Sequence, residues 1–287
     1  MKTKKNIQYL LEIIFFYFIC QLWKIFPLKF SSDFGAWLAR TIGTKLHNQS
    51  NGIRNLDYVF PNISKQRHKN TLNKMWDHLG RVCVEYVNLF RLNTSINNRS
   101  ITIKGIKYLK HLAKPALFFS AHIGNWALPA LVLTQEGIEI IQLYRKFNNP
   151  YIDNLIKDYH HKVGIKTINK GMKGIRESIR LLKEKKSIIF LMDQKLREGI
   201  SIPFFNRPAM TAPAIVKLAK KFNCPIIPVQ SIRINSIKHK VIFYKPFYVQ
   251  NKEPVDKILI KINKIIEYWI IKNPSQWLWI HQRWDKK

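Results

Sequence analysis

Acid is what this chain has least of. Seventeen aspartates and glutamates stand against 49 lysines and arginines, a formal charge of +32 over 287 residues. Such an imbalance points toward something negative: nucleic acid, an anionic membrane face, or an acidic small molecule or carrier protein. Cysteine is scarce as well. Cys20, Cys83 and Cys224 lie far apart with no C-x-x-C pair, which argues against a disulfide framework and a cysteine zinc site and fits a reducing compartment. Neither a repeat period nor a heptad run is present, so solenoid, collagen and coiled-coil architectures are excluded. Glycine and alanine are few while lysine, isoleucine and asparagine are plentiful, so part of the basic excess is compositional bias.

Apolar material is abundant. The chain is 46% hydrophobic and 13% aromatic, enough for a real core, and its length allows one large domain or two small ones. Lys2, Lys4 and Lys5 precede an apolar stretch from Tyr9 to Phe26, whose longest uncharged part, Ile13 to Trp23, lies between Glu12 and Lys24. That part is shorter than the roughly 20 residues of a clean span. The run lacks a small-x-small cleavage site after it, against a signal peptide. Bulky Tyr17, Phe18 and Ile19 before Cys20 exclude a lipoprotein. Flanking lysines and Tyr9, Tyr17, Trp23 and Phe26 suit a membrane interface. Residues 1–30 are therefore expected to form an uncleaved membrane anchor, either a span or an interfacial helix. No second long apolar run follows, so the protein is at most singly anchored.

Residues 31–98 carry helical spacing, as in Phe34, Trp37, Leu38 and Ile42 and again from Leu72 to Phe90. Asn93–Ser100 reads as a turn-rich break. Short apolar runs then alternate with amphipathic stretches. Strands are expected at Ala116–Ser120, Ile138–Tyr144, Ser187–Met192, Pro225–Gln230 and Lys240–Phe247. Helices are expected at Trp126–Leu133, Ile152–Val163, Lys173–Lys185, Pro213–Phe222 and Val255–Lys272. This order predicts an α/β fold with a mainly parallel mixed sheet flanked by helices, preceded by the membrane-anchor helix and a helical extension. Without a Gly/Ser-rich linker, residues 31–287 are expected to form one α/β domain with a helical N-terminal part.

Polar residues gather where expected strands end, which is where open α/β sheets place their sites. His122 follows one such strand in FFSAHIGNW and suits a general base, with Gly124 permitting close backbone approach. Asp193 and Gln194 follow SIIFLM. The stretch Gly199 to Thr211 reads as a loop whose Phe204 and Phe205 either line an apolar groove or, the favoured reading for the segment alone, pack into the core. Arg145 follows another strand in YRKFNNP and is either a fork for a phosphate or carboxylate or a surface arginine in a turn. The closing QWLWIHQRW interleaves aromatics with basic residues and reads chiefly as packing.

Taken in order, H-x-G-N-W, YR-x-x-NNP, DQ, G-I-x-x-PFF, RPAMT, an Ile-Pro strand and QW-x-W-x-H-x-RW resemble the late acyltransferase family of lipid A biosynthesis over nearly the whole chain. The resemblance implies transfer of a long acyl chain from acyl carrier protein to a hydroxyl of a lipid A precursor. It places the α/β domain on the cytoplasmic face of the inner membrane, with no metal or bound cofactor. His122 would be the general base. Asn125, Arg145, Asn148, Asp193, Gln194, Phe204, Phe205, Arg207 and Thr211 would contact substrate. Backbone N–H groups or Arg145 would steady the oxyanion. The expected partners are the acidic carrier, an anionic glycolipid and the membrane; nucleic acid, resting on charge and the C-terminal aromatics alone, is set aside. One position departs from the pattern: the family acid five residues after the histidine is here Ala127. A replacement acid such as Asp193 or Glu136 would restore the pair, and Asn125 could orient the ring without carrying charge. The alternatives are a catalytically inactive membrane-associated relative and an acyltransferase for another glycolipid.

Overall fold

The structure, a computed structural model, describes residues 2–46, 49–92, 100–110, 112 and 115–284, with side chains from Asn6 onward. The break expected at Asn93–Ser100 lies, apart from Ser100, outside the described residues. Four helices lead the chain: α1 (Lys2–Ile25), α2 (Leu28–Gly43), α3 (Gln49–Val59) and α4 (Lys65–Val87). The Asn6–Ile25 part of α1 is long and apolar enough to cross a membrane. Leu11, Ile14, Phe15 and Phe18 face outward, while Cys20 and Trp23 pack inward.

Seven strands then build one sheet: β1 (Ile101–Lys104), β2 (Leu117–Ser120), β3 (Ile140–Tyr144), β4 (Lys166–Asn169), β5 (Ser187–Leu191), β8 (Ile226–Asn235) and β9 (Lys238–Phe243). Their order is β1-β9-β8-β2-β5-β3-β4, and every neighbouring pair is parallel except β8 with β9. The mainly parallel mixed sheet expected from the sequence is the one observed. Between its strands run α5 (Leu128–Gln135), α6 (Pro150–Lys162), α7 (Met172–Lys183), α8 (Ala214–Phe222) and, toward the C-terminus, α9 (Val255–Lys272).

β2 sits in the middle and shows why this order folds. All four of its residues are buried, as a strand covered on both faces requires. Successive side chains alternate between faces. Phe118 joins a core with Leu128, Leu131, Ile140 and Ile227, while Phe119 joins the opposite core with Ile262, Ile266 and Trp269 of α9. The spacing of Ile258, Leu259, Ile262, Ile266 and Trp269 keeps the inner face of α9 on the sheet. Asn149 starts α6 by accepting from the amides of Tyr151 and Ile152, with Pro150 at the first helical turn.

Two edge strands and a hairpin are invisible to apolar periodicity. β1 and β4 are four residues long and half exposed, so ITIK and KTIN carry no apolar run. The stretch expected as a loop is instead an antiparallel hairpin, β6 (Ile200–Phe204) with β7 (Arg207–Thr211). Its two-residue turn, Phe205-Asn206, has φ of 50° and 59°, as a type I′ turn demands. Phe-Asn is an unusual pair for that turn, and Pro203 and Pro208 disguise the strands.

Candidate active site

The register of the parallel strands assembles the site. Ser120 of β2 pairs with Leu191 of β5, so His122 and Asp193 each lie two residues beyond a matched pair. Tyr144 of β3 pairs with Asn169 of β4, which puts Arg145 and Lys170 one residue beyond at the same edge. His122 Nδ1 lies 2.8 Å from Asp193 Oδ1. The second carboxylate oxygen, Oδ2, accepts from the backbone N–H of His122 and from Trp277 Nε1, each at 2.8 Å. Burial alone would raise the Asp193 carboxyl. The facing His122 and these hydrogen bonds outweigh it and hold Asp193 well below the usual carboxylate range. A carboxylate so held takes the proton on Nδ1, which leaves Nε2 as the acceptor nitrogen. The Trp126 ring stands beside the imidazole, 5.3 Å between centroids.

Nε2 faces Gln194, whose amide nitrogen lies 3.1 Å away. The other end of that amide accepts from Lys170 Nζ at 2.5 Å. An ammonium only donates, so it fixes which end of the amide is oxygen and turns the NH₂ toward His122. Burial lowers the Lys170 pKa, Asp193 works against that, and Arg145 lowers it further. His281 approaches from the C-terminal segment and accepts from the Lys195 amide at 3.3 Å; burial presses its pKa down to about 4.

The loop bearing His122 is bolted from beneath. Gly124 has φ +60°, and a Cβ there would lie 2.1 Å from the Ser231 carbonyl oxygen, so only glycine fits. The Gly124 amide donates to the Gln276 carbonyl, and the Leu278 amide donates to the His122 carbonyl. Asn125 is wholly buried: its Nδ2 donates to Glu85 Oε2 at 2.8 Å and its Oδ1 accepts from the Ala127 amide at 3.1 Å. Both ends of Asn125 are thus held by the fold, and neither of these hydrogen bonds reaches the His122 ring. Glu85 also receives both terminal nitrogens of Arg233 and stands 3.3 Å from His239 Nε2. Burial would raise Glu85, but Arg233 and His239 hold it well below the carboxylate range.

The remaining sequence candidates scatter. Arg145 and Asn148 lie on the exposed turn after β3. Asn148 lines a polar crevice with Gln8, Tyr9 and Glu12 of α1, and neighbouring Asn149 donates to the Tyr9 carbonyl and to Glu12. Phe204 is a buried core ring against Trp277 and Trp284 rather than a groove wall. Phe205 is a turn residue whose amide donates to Glu267. Arg207 stacks its guanidinium 4.0 Å from the Tyr58 ring centre. Thr211 is buried and accepts from Arg283. Glu136 ends α5, exposed to solvent. Of the ten residues singled out, the structure brings together His122, Asp193 and Gln194, with Arg145 at the rim. It adds Lys170, Trp277 and Glu85, which the sequence reading did not single out as site residues. Recognising KTIN as a strand would have pointed to Lys170, since it follows that strand directly. An apolar hollow of about 720 Å³ between Tyr244, Phe247 and Trp269 is rimmed by Lys245, Lys261 and Lys264 and includes none of these site residues. Among the described residues no cluster of three or more His, Cys, Asp and Glu side chains forms a metal cage.

Several known proteins are similar to this chain. A family model described as bacterial lipid A biosynthesis acyltransferase matches residues 1–286. Two lipid A biosynthesis acyltransferases of Haemophilus influenzae are similar. One is 23% identical over 262 residues, covering 88% of this chain and 80% of the relative; the other is 24% identical over 245 residues, covering 82% and 76%. Among solved structures, the 1-acyl-sn-glycerophosphate acyltransferase PlsC of Thermotoga maritima aligns with a TM-score of 0.42 at 11% identity, over 78% of this chain and 96% of that one. The chain belongs to the bacterial lipid A biosynthesis acyltransferase family.

Proposed function

We propose that this acyltransferase moves a long acyl chain from acyl carrier protein to a hydroxyl of a lipid A precursor, with His122 as general base and Asp193 as the acid that orients it. The observation that carries the reading is the 2.8 Å contact between His122 Nδ1 and Asp193 Oδ1. Ala127 leaves no carboxylate at the family position, and Asp193 supplies one from the end of β5. In the reaction the acceptor hydroxyl gives its proton to His122 Nε2 and its oxygen attacks the acyl thioester carbon. Asp193 keeps the ring in the reactive tautomer and balances the imidazolium that forms.

Location supports the same reading. The outward Leu11, Ile14, Phe15 and Phe18 of α1 suit a bilayer and support an N-terminal anchor; the inner membrane, with the α/β domain on the cytoplasmic side, is the location the family resemblance implies. Asn149 ties α1 to the turn bearing Arg145, which supports a site whose rim lies beside the anchor. A lipid acceptor then reaches His122 from the membrane side, and the basic surface attracts an acidic carrier and an anionic lipid.

The test is acyl transfer by the purified full chain from acylated carrier protein to a lipid A precursor, followed as product mass. Wild type transfers the chain, and His122→Ala loses on the order of 10²–10⁴ of the rate. Asp193→Asn loses on the order of 10⁴ of kcat through the wrong tautomer. A silent wild type, or a His122→Ala variant as active as wild type, overturns the reading.

A further inference from the structure

Lys170 is out of place as a structural residue. It is half-buried, and among the described residues it forms no ion pair. Its ammonium contacts the amide oxygen of Gln194, a neutral group, while the Asp193 charge acts on it from beyond ion-pair distance, so burial is only partly compensated. Burial lowers its pKa, and perturbed ionisable groups cluster at functional sites. What Lys170 reaches through Gln194 is His122 Nε2, the nitrogen that takes the proton in acyl transfer.

The amide between them has an informative shape. Its NH₂ donates to His122 Nε2 at 3.1 Å, as an acceptor hydroxyl would. Its carbonyl oxygen accepts from Lys170 Nζ at 2.5 Å, as an acyl oxygen would. Its planar carbon joins the two. A reacting centre needs the same arrangement: an attacking O–H on the base and a developing oxyanion about 3 Å from a fixed cationic donor. We propose that the Gln194 carboxamide occupies, in the substrate-free protein, the place of the reacting acyl centre, and that Lys170 is the catalytic residue that donates to the acyl oxyanion.

This rests on the acyl-transfer reading above. Gln194 swings out when the substrates enter. The acceptor O–H proton passes to His122 Nε2 while the oxygen forms a bond to the thioester carbon. The carbonyl π pair moves onto oxygen, and Lys170 Nζ–H holds that charge. The pair then returns, the C–S bond breaks, and the departing thiolate takes the proton back from His122 Nε2. Atoms and charge balance with no further reactant. Lys170 thereby takes the oxyanion duty that the sequence suggested for Arg145, whose position on an exposed turn leaves it screened by water.

The experiment has a kinetic and a binding arm, both with the full chain. Removing one oxyanion donor lowers kcat on the order of 10²–10³, so Lys170→Met falls by that factor with KM for both substrates within about threefold of wild type. Lys170→Arg restores at least part of the loss. Gln194→Ala frees the base from one hydrogen bond and raises kcat/KM for the acceptor by up to about tenfold. In the binding arm, a long-chain alkylphosphonate, tetrahedral and anionic, is titrated calorimetrically. Its affinity falls at least tenfold in Lys170→Met and rises in Gln194→Ala. A Lys170→Met enzyme with kcat within threefold of wild type overturns the proposal, as does a folded Lys170→Met protein that binds the phosphonate like wild type. Should wild type transfer no acyl chain, the functional reading fails. The Lys170 site then stands or falls on phosphonate affinity alone.

Discussion

At the scale of the residue, one substitution and one neighbour decide how the site is read. Ala127 stands at the position where the resemblance implies an acid, and it is fully buried among apolar side chains beside Leu128 and Leu131. Restoring the family acid with Ala127→Glu places a carboxylate in that core while Asp193 already holds His122 Nδ1. An uncompensated buried charge destabilises by about 3–5 kcal/mol. The expected outcome is a lower thermal midpoint and no gain in kcat. A tenfold gain in kcat would show that Asp193 does not serve as the orienting acid. The sequence offered Asp193 and Glu136 equally as replacements. Only the Ser120–Leu191 register separates them, because it carries Asp193 to the histidine and leaves Glu136 at the solvent end of α5.

At the scale of the element, the His122 loop owes its position to parts far away in sequence. Glu85 of α4 and Arg233 of β8 form a buried pair that also clamps Asn125. Gln276 bridges Gly124 to Arg233 by accepting from both amides and donating to the Arg233 carbonyl. Breaking a buried pair by removing one partner costs about 3–5 kcal/mol. Arg233→Met therefore lowers unfolding free energy by about that amount in a urea titration, and a loss under 1 kcal/mol would deny the clamp its role. The helix at Val255–Lys272 was legible to the residue, since its apolar stripe recurs at helical spacing along one inner face. The hairpin at Ile200–Thr211 was not, since its turn is Phe-Asn and each strand carries a proline.

At the scale of the whole molecule, buried histidines set the response to acid. Burial lowers His160 and His281 to about 4 and, with Arg233 adding to it, His78 to about 3. In the unfolded chain each titrates near 6.5. Between pH 6.5 and about 4 the unfolded state binds protons that the folded state refuses, so stability falls as pH falls through that window. Each group adds up to about 1.4 kcal/mol per pH unit. Asp193 and Glu85 run on a different window: their pKa values are depressed, so their contribution holds until pH drops below the ordinary carboxylate range. His160 has both ring nitrogens without a hydrogen-bond partner among the described residues and packs 5.0 Å from the Tyr86 ring. Replacing it by phenylalanine flattens the fall in stability between pH 6.5 and 4.5, read from denaturation midpoints. An unchanged slope would mean that His160 takes up its proton in the folded state.

The sequence by itself determined the class of the fold, the apolar N-terminal helix and the strand ends on which the polar residues gather. Those are consequences of local periodicity, of composition and of where short apolar runs stop. Tertiary structure decided which polar residues act together. His122 and Asp193 are 71 positions apart, and Lys170 follows a half-exposed edge strand with no apolar signature. Asn125, three residues after the histidine in sequence, is drawn instead into a buried ion-pair network. Strand register and sheet order carry that information, because neighbours in a parallel sheet are chosen by packing across the core rather than by nearness along the chain.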